Sequence, residues 1–269
     1  MHYFAGLFDA EGYVSLLKTG NFIIGTEMTN EQVPNLFKET FGGSIYTRKR
    51  GERKKTFTWM IGTNHEQALN FISQIAPFSI IKRPQLLHLA DYINIPKELK
   101  KVMRQPMISQ MRKLKTPFYK PTFDEPSIHK CENSPDTPFY EWLAGFFDGD
   151  GNFSLYETHK GEYWAFQSWI GVFNTFWDPI DIISDRLQGS ISQYKGRNHP
   201  VYKWVCSQSI EKSVCQSLLP FLKIKKAACQ VILDYHEIKK KKTRFVSYSG
   251  EDQKRIRDLI KQIKHINSL

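Results

Sequence analysis

Four cysteines in 269 residues, Cys131, Cys206, Cys215 and Cys229, form no C-x-x-C pair and no zinc-type pairing with the eight histidines. That excludes a disulfide framework or a thiolate metal cage as the basis of the fold, and the cysteines read as reduced, packed thiols. Long apolar runs are also missing: no stretch approaches the roughly 18 residues of a membrane span, and no basic segment leads into a signal-type apolar core. The expectation is an intracellular protein with no membrane partner. A removed transit peptide would leave no trace, so mitochondrion, chloroplast and a phage or bacterial cytosol all stay open. Acidic residues are in short supply, with Asp+Glu 27 against Lys+Arg 38, a net charge of +11 and a pI near 9.4. A surplus of that size points to a polyanionic partner, nucleic acid first. Hydrophobic residues at 41% and aromatics at 14% are enough to fill a buried core.

What the sequence does contain is a repeat. FAGLFDAEGYVSL at 4–16 is answered by LAGFFDGDGNFSL at 143–155. GGSIY (42–46) is answered by QGSIS (188–192), TWMIG (58–62) by KWVCS (203–207), and APFSIIKR (76–83) by LPFLKIKK (219–226), always in the same order. Such spacing is what duplication followed by small loop insertions leaves behind. The chain divides into an N-terminal half (1–93), a linker (94–137) rich in Pro, Lys and Arg, and a C-terminal half (138–269).

Each half reads as helix, two strands, helix, two strands, helix. Val14 and Leu16 alternate with Ser15 and Leu17, and Phe153 and Leu155 with Ser154 and Tyr156. Ile45 and Ile191 are expected inward. Phe57, Trp59 and Ile61, like Tyr202, Trp204 and Cys206, should face the core, so every sheet has one apolar and one largely polar face. Asn64, with Gln67 three residues on, reads as an N-cap. The isoleucines of 251–266 predict a final helix packed on the second half, and the linker should be helical at its start and extended after Pro117.

Small residues Ala5, Gly6 and Ala10, matched by Ala144, Gly145 and Gly149, let two motif helices approach each other closely. Glu11 and Asp150 then close their helices where the dipole disfavours an acid by roughly 0.3–1 kcal/mol. Two unfavourably placed acids at equivalent positions call for a positive charge. A hard divalent cation held by carboxylate, water and phosphate oxygens supplies it.

FAGLFDAEG and LAGFFDGDG resemble the paired motifs of single-chain LAGLIDADG homing endonucleases, and the resemblance covers both halves apart from the linker. It implies an α+β fold of two pseudo-symmetric αββαββα halves whose antiparallel sheets form a DNA-binding saddle. It implies a metal-dependent double-strand break in a long DNA target, promoting intron homing. The cofactor would be Mg2+, with Mn2+ substituting and Ca2+ binding without supporting cleavage. By the same resemblance the metal ligands are Glu11 and Asp150, with the carbonyls of Ala10 and Gly149. Lys82 and Lys225, after the two PF segments, match the family's active-site lysine. Asn30 and Asn174 match a polar residue at the end of the second strand that positions water. Asp9 and Asp148 point elsewhere on their helices and are expected to hydrogen-bond or cap across the helix pair.

The polar sheet faces then become the surface that reads DNA, through Thr19, Asn21, Ser44, Tyr46, Arg48, Thr58, Tyr156, Thr158, Gln167, Ser190, Ser192, Tyr194 and Lys203. The basic loops at 48–55 and 195–197 suit sequence-blind phosphate contacts. The halves differ at most outward positions, so the target is expected to be non-palindromic and the protein to act as a monomer, a pseudo-dimer within one chain. The alternative reading is a group I intron RNA maturase on the same scaffold. A silent DNA-binding regulator would have no need of Glu11 or Asp150, and no histidine constellation suggests an HNH nuclease.

Overall fold

The computed structural model describes residues 1–49, 55–117, 137–160, 163–196, 198–240 and 248–268. The basic segments 50–54 and 197, Cys131 and most of the extended part of the linker lie outside these residues. In chain order the elements begin α1 (His2–Glu11), β1 (Gly12–Leu16), β2 (Phe22–Met28), α2 (Gln32–Phe41), β3 (Ser44–Arg48), β4 (Thr56–Ile61), α3 (His65–Ile75), α4 (Arg83–Asn94) and α5 (Lys97–Leu114). They continue as α6 (Thr137–Asp150), β5 (Gly151–Lys160), β6 (Tyr163–Asn174), α7 (Trp177–Arg186), β7 (Gly189–Tyr194), β8 (Val201–Cys206), α8 (Glu211–Leu218), α9 (Lys226–Lys240) and α10 (Gly250–Ser268). Two antiparallel sheets result, β1-β2-β4-β3 and β5-β6-β8-β7, so the duplicated sequence produces the same strand order twice.

The chain forms two compact units, Met1–Gly149 with Thr175–Pro179, and Asp150–Asn174 with Ile180–Leu269. The division falls within α6 rather than before it, because most of α6 packs against α1. A Cβ on Gly6 would stand 1.9 Å from the Trp142 carbonyl oxygen, and one on Gly145 would stand 1.9 Å from the Tyr3 carbonyl oxygen. The two helices thus meet backbone to backbone, with Ala5 and Ala144 fully buried. Only glycine permits that approach.

In the first unit the inward residues Val14, Leu16, Phe57, Trp59 and Ile61 are buried as the alternation requires. Behind the sheet an aromatic cluster joins α1, α2, α3 and β4. Phe37 stacks on Trp59 at 4.8 Å, and Phe71 meets Phe8 edge-on at 5.1 Å. Trp59 Nε1 donates to the Gly42 carbonyl at 2.7 Å, so the largest core side chain carries its polar atom satisfied. Asn64 caps α3 by accepting from the Gln67 amide at 3.0 Å. The start of the linker is α5, which packs on α4 and β1 through Ile108, Met111 and Leu114.

In the second unit Phe153, Leu155, Trp204 and Cys206 face the core, and α10 packs on α9 and β5 through Ile256, Ile260 and Ile263. Cys206, Cys215 and Cys229 are free and buried. Burial, and then the nearby Glu211, push the Cys206 thiol up to about 12, which leaves it inert. Ser168, Glu211 and His236 form a buried polar group, with Ser168 donating to Glu211 and His236 Nε2 3.2 Å from the same carboxylate. Ile191 departs from expectation. It lies on β7, the edge strand of its sheet, and stays 36% exposed instead of joining the core. Among the described residues no helix is long and apolar enough to cross a membrane.

The close approach of α1 and α6 makes a direct prediction. Gly6→Ala, which places a methyl against backbone that cannot rotate away, should lower the unfolding free energy by about 2 kcal/mol or more in denaturant titration. Gly62→Ala, where an added Cβ meets nothing within 4 Å, should change it by less than about 0.5 kcal/mol.

Candidate functional site

Each motif carries two acids, and the structure gives them different tasks. Asp9, 1% exposed, accepts from Ser79 Oγ at 2.5 Å, from the amides of Ile80 (2.7 Å), Ile81 (3.0 Å) and Lys82 (3.0 Å), and from Trp142 Nε1 at 3.0 Å. It therefore caps the turn that opens α4 and also reaches across to α6. Burial raises its pKa above the ordinary carboxylate value, opposed by the hydrogen bonds from Ser79, Ile80, Trp142 and Lys82. Asp148 is equally buried and accepts from Tyr3 Oη at 2.7 Å across the same helix pair. Burial first, and then the Asp148 charge, raise the Tyr3 pKa and keep its hydroxyl a donor. These two acids cap and bridge as the helix geometry predicts.

Glu11 ends α1 and is half-buried. Gly12 follows it at φ −79° and ψ 152°, extended rather than left-handed, so this glycine does not end the helix in the usual way. Its reason is space: a Cβ there would stand 2.3 Å from the Phe8 carbonyl oxygen. A Cβ on Gly149 would stand 3.1 Å from Glu11 Cγ and 2.4 Å from Ala10 Cβ. The missing side chain at Gly149 thus leaves room beside the Glu11 carboxylate. The Ala10 and Gly149 carbonyls lie in the last helical turns, where carbonyls lack intrahelical donors.

In the second unit Asp150 Oδ2 accepts from Asn174 Nδ2 at 2.8 Å, and Lys225 Nζ donates to the carbonyl of the next residue, Gly151, at 2.6 Å. Three residues named from the sequence, Asp150, Asn174 and Lys225, are therefore brought together by the end of α6, the end of β6 and the start of α9. Lys82 occupies the matching place at the N-terminus of α4, its amide fixed by Asp9 and its Nζ 5.9 Å from the Phe176 ring centroid.

Asn30 lies differently. Its Oδ1 accepts from the Gln32 amide at 2.8 Å, a turn that opens α2. Strand register puts Met28 opposite Phe57 where Asn174 stands opposite Tyr202, so Met28 is the position equivalent to Asn174, two residues before Asn30.

Oxygen donors of this kind, carboxylates and terminal carbonyls, suit a hard cation such as Mg2+ or Ca2+. Among the described residues no group of three or more His, Cys, Asp or Glu side chains is arranged to hold a metal. A cation here would thus take much of its coordination from carbonyls, water and phosphate. The donor set fits that mode of binding and not a transition-metal cage.

The outward sheet faces carry the residues read as DNA contacts. Ser44, Tyr46 and Arg48 are exposed on β3, with Thr58 beside Tyr46 on β4, and Thr19 and Asn21 occupy the exposed β1–β2 turn. Ser190, Ser192 and Tyr194 line β7, with Lys203 beside Ser192. Tyr156 Oη donates to Gln167 Oε1 at 3.1 Å, and Thr158 Oγ1 to the Ala165 carbonyl at 3.2 Å. Sequence reasoning missed Lys115, at the C-terminus of α5. Its Nζ donates to Ser15 Oγ on the outward face of β1 at 2.9 Å, and its pKa is lowered first by burial and then by Lys82. The only signal was its place in a basic segment.

Asp9 and Lys115 each yield a prediction. Asp9→Ala strands the Ser79, Ile80, Ile81, Lys82 and Trp142 donors and should cost about 3 kcal/mol or more in denaturant unfolding. For Lys115 the folded pKa lies below the unfolded 10.5, so the unfolded chain binds more protons between those two values. Stability from this group is smallest when both states are protonated and rises with pH through that window. Relative to Lys115→Met, the unfolding free energy of the wild type should therefore increase as pH climbs towards 10.5.

No family model and no curated protein matches the chain. Solved structures do. I-SmaMI bound to uncleaved DNA in the presence of calcium ions matches at 19% identity over 98% of each chain, with a TM-score of 0.68. The LAGLIDADG homing endonuclease I-SmaMI bound to cleaved DNA matches at 20% identity over 96% of this chain and 95% of that one, TM-score 0.66. The LAGLIDADG homing endonuclease I-GzeII in complex with its DNA target matches at 18% identity over 97% of each, TM-score 0.66. The chain thus has, along nearly its whole length, the two-sheet α+β fold of LAGLIDADG homing endonucleases.

Proposed function

We propose that the protein is a site-specific DNA endonuclease that makes a metal-dependent double-strand break in a long, non-palindromic target and so promotes the mobility of its host intron. The observation that carries this reading is the group at the end of α6: Asp150 oriented by Asn174 at 2.8 Å, with the Lys225 ammonium on the adjoining carbonyl at 2.6 Å. A carboxylate held this way, with a lysine on the carbonyl of the next residue, suits phosphodiester hydrolysis and has little use in a binding module. The DNA-bound state of the structural relatives, one with calcium ions, supports the same reading.

Bound divalent cations, Mg2+ with Mn2+ as a substitute, would neutralise phosphate charge and lower the pKa of an attacking water. Glu11 and Asp150 would hold them, with the Ala10 and Gly149 carbonyls. Asn174 fixes the direction of the Asp150 carboxylate. Lys225 and Lys82 would stabilise negative charge that grows on the phosphoryl oxygens during attack. The outward sheet faces supply the contacts to duplex DNA, and a single chain carries both halves of the reading surface.

The test is cleavage of a randomised duplex library with Mg2+ or Ca2+, using the wild type, Glu11→Gln and Asp150→Asn. Double-strand cuts at one long site in Mg2+ alone, reduced at least about 100-fold by either substitution while binding persists, are the expected result. Tight binding to intron RNA with no cut in any DNA pool would overturn it in favour of an RNA maturase.

A further inference from the structure

On the outer face of the second sheet, Lys203 is surrounded by rings. Its Nζ lies 5.2 Å from the Trp169 ring centroid, 5.6 Å from that of Phe173 and 5.6 Å from that of Tyr194, and 3.3 Å from Tyr194 Oη. Strand register places Phe173, Lys203 and Ser192 side by side across β6, β8 and β7, so the lysine stands inside the sheet and not on its edge. Trp169 reaches this group because Gly171 lies between it and Phe173. A Cβ on Gly171 would stand 2.9 Å from the Trp169 ring, and without one the indole stacks on Phe173 at 5.6 Å and 29°. Phe173 and Tyr194 are 40% and 49% exposed, an unusual outlay of aromatic surface.

The matching positions of the first sheet are Ile23, Glu27, Thr58 and Arg48. They hold no counterpart to this arrangement: Glu27 accepts there from Thr56 Oγ1 at 3.1 Å. Among the described residues, a lysine held by three rings at these rungs therefore occurs on the second sheet alone.

We propose that Lys203 is a specificity-determining residue that reads one guanine in the major groove, held ready by Trp169, Phe173 and Tyr194. The proposal rests on the endonuclease reading above. A lysine in the open loses rotamer freedom when it docks, whereas this one is already confined by cation–π attraction. An ammonium has donors only and so matches guanine, which offers the O6 and N7 acceptors, and conflicts with the N6 amino group of adenine. A two-stranded ribbon fits the major groove, where an outward side chain on an interior strand can reach base edges.

The experiment takes the full-length protein and its selected target, and measures Kd in Ca2+ for the wild type, Lys203→Met, Trp169→Leu and Phe173→Leu. Each is tested against every single base-pair variant of the site and over a range of salt. The wild type should discriminate against loss of one G·C pair by roughly 5- to 150-fold. Lys203→Met should erase that discrimination at that position only, and either ring variant, checked for a native circular dichroism spectrum, should weaken it there. A uniform loss of affinity over all sequences, with the salt slope reduced by about one, would make Lys203 a phosphate contact and overturn the proposal. Unchanged discrimination in Lys203→Met would overturn it as well. Failure of the wild type to select any DNA site would instead sink the endonuclease reading itself.

Discussion

Two helices that touch through backbone atoms set the terms for much of the first unit. Where a Cβ on Gly6 or Gly145 would fall 1.9 Å from a carbonyl oxygen of the other helix, no side chain separates α1 from α6. Such a contact is stiff, because backbone cannot change rotamer to relieve a misfit. It fixes how far Tyr3 must reach to meet Asp148, and where the Trp142 indole meets Asp9. It also places Gly149 beside Ala10 and Glu11, so that the space next to the Glu11 carboxylate is set by main chain and not by a movable group.

The two acids of a motif then divide the work. Positions 9 and 11 on one helix point about 200° apart, so they cannot serve the same site. Asp9 turns inward, and a buried carboxylate is tolerable only when hydrogen bonds replace its lost water. The amides of Ile80, Ile81 and Lys82 supply them, which anchors the very turn that carries Lys82. Those hydrogen bonds offset the cost of burying Asp9 and order a residue 73 positions away. Glu11 turns outward at the helix end, where the helix dipole makes it a poor neighbour for its own carbonyls and a good one for a cation.

Much of this was legible in the sequence because it depends on local pattern. The strand alternation at Val14 and Leu16, the Asn64 cap, the final helix with Ile256, Ile260 and Ile263, and the close helix pair all follow from spacing and residue type. Asp150 and Lys225 were legible through the repeat and the family resemblance together. Features that depend on register or on distant packing were not. Asn30 looked equivalent to Asn174 by type and rough position, but only the ladder shows that Met28 occupies that place and that Asn30 closes a turn on Gln32. Lys115 sits in a segment that reads as a linker, and nothing short of the packing of α5 brings it to Ser15 and Lys82. Trp169 and Phe173 resemble core aromatics in composition, and their outward direction comes from the pairing of β6 with β5 and β8.

The duplicated sheets have diverged unevenly, and the pattern of divergence has a physical cause. Inward pairs remain apolar and of similar kind: Trp59 with Trp204, Ile24 with Ile170, Leu16 with Leu155. Each is packed on all sides, so a change of shape there is costly in either unit. Outward pairs at the same rungs have changed charge and chemistry altogether: Ile23 with Trp169, Glu27 with Phe173, Arg48 with Tyr194, Thr58 with Lys203. Freedom from packing permits such divergence but does not by itself produce exposed aromatics, which carry a solvation cost and an aggregation risk. Their retention around a lysine on one sheet, against a charged set on the other, is what a surface needs if its two halves must meet different base sequences. Two sheets of the same strand order with unlike outer faces are what the proposed non-palindromic target requires, without any departure from the repeated fold.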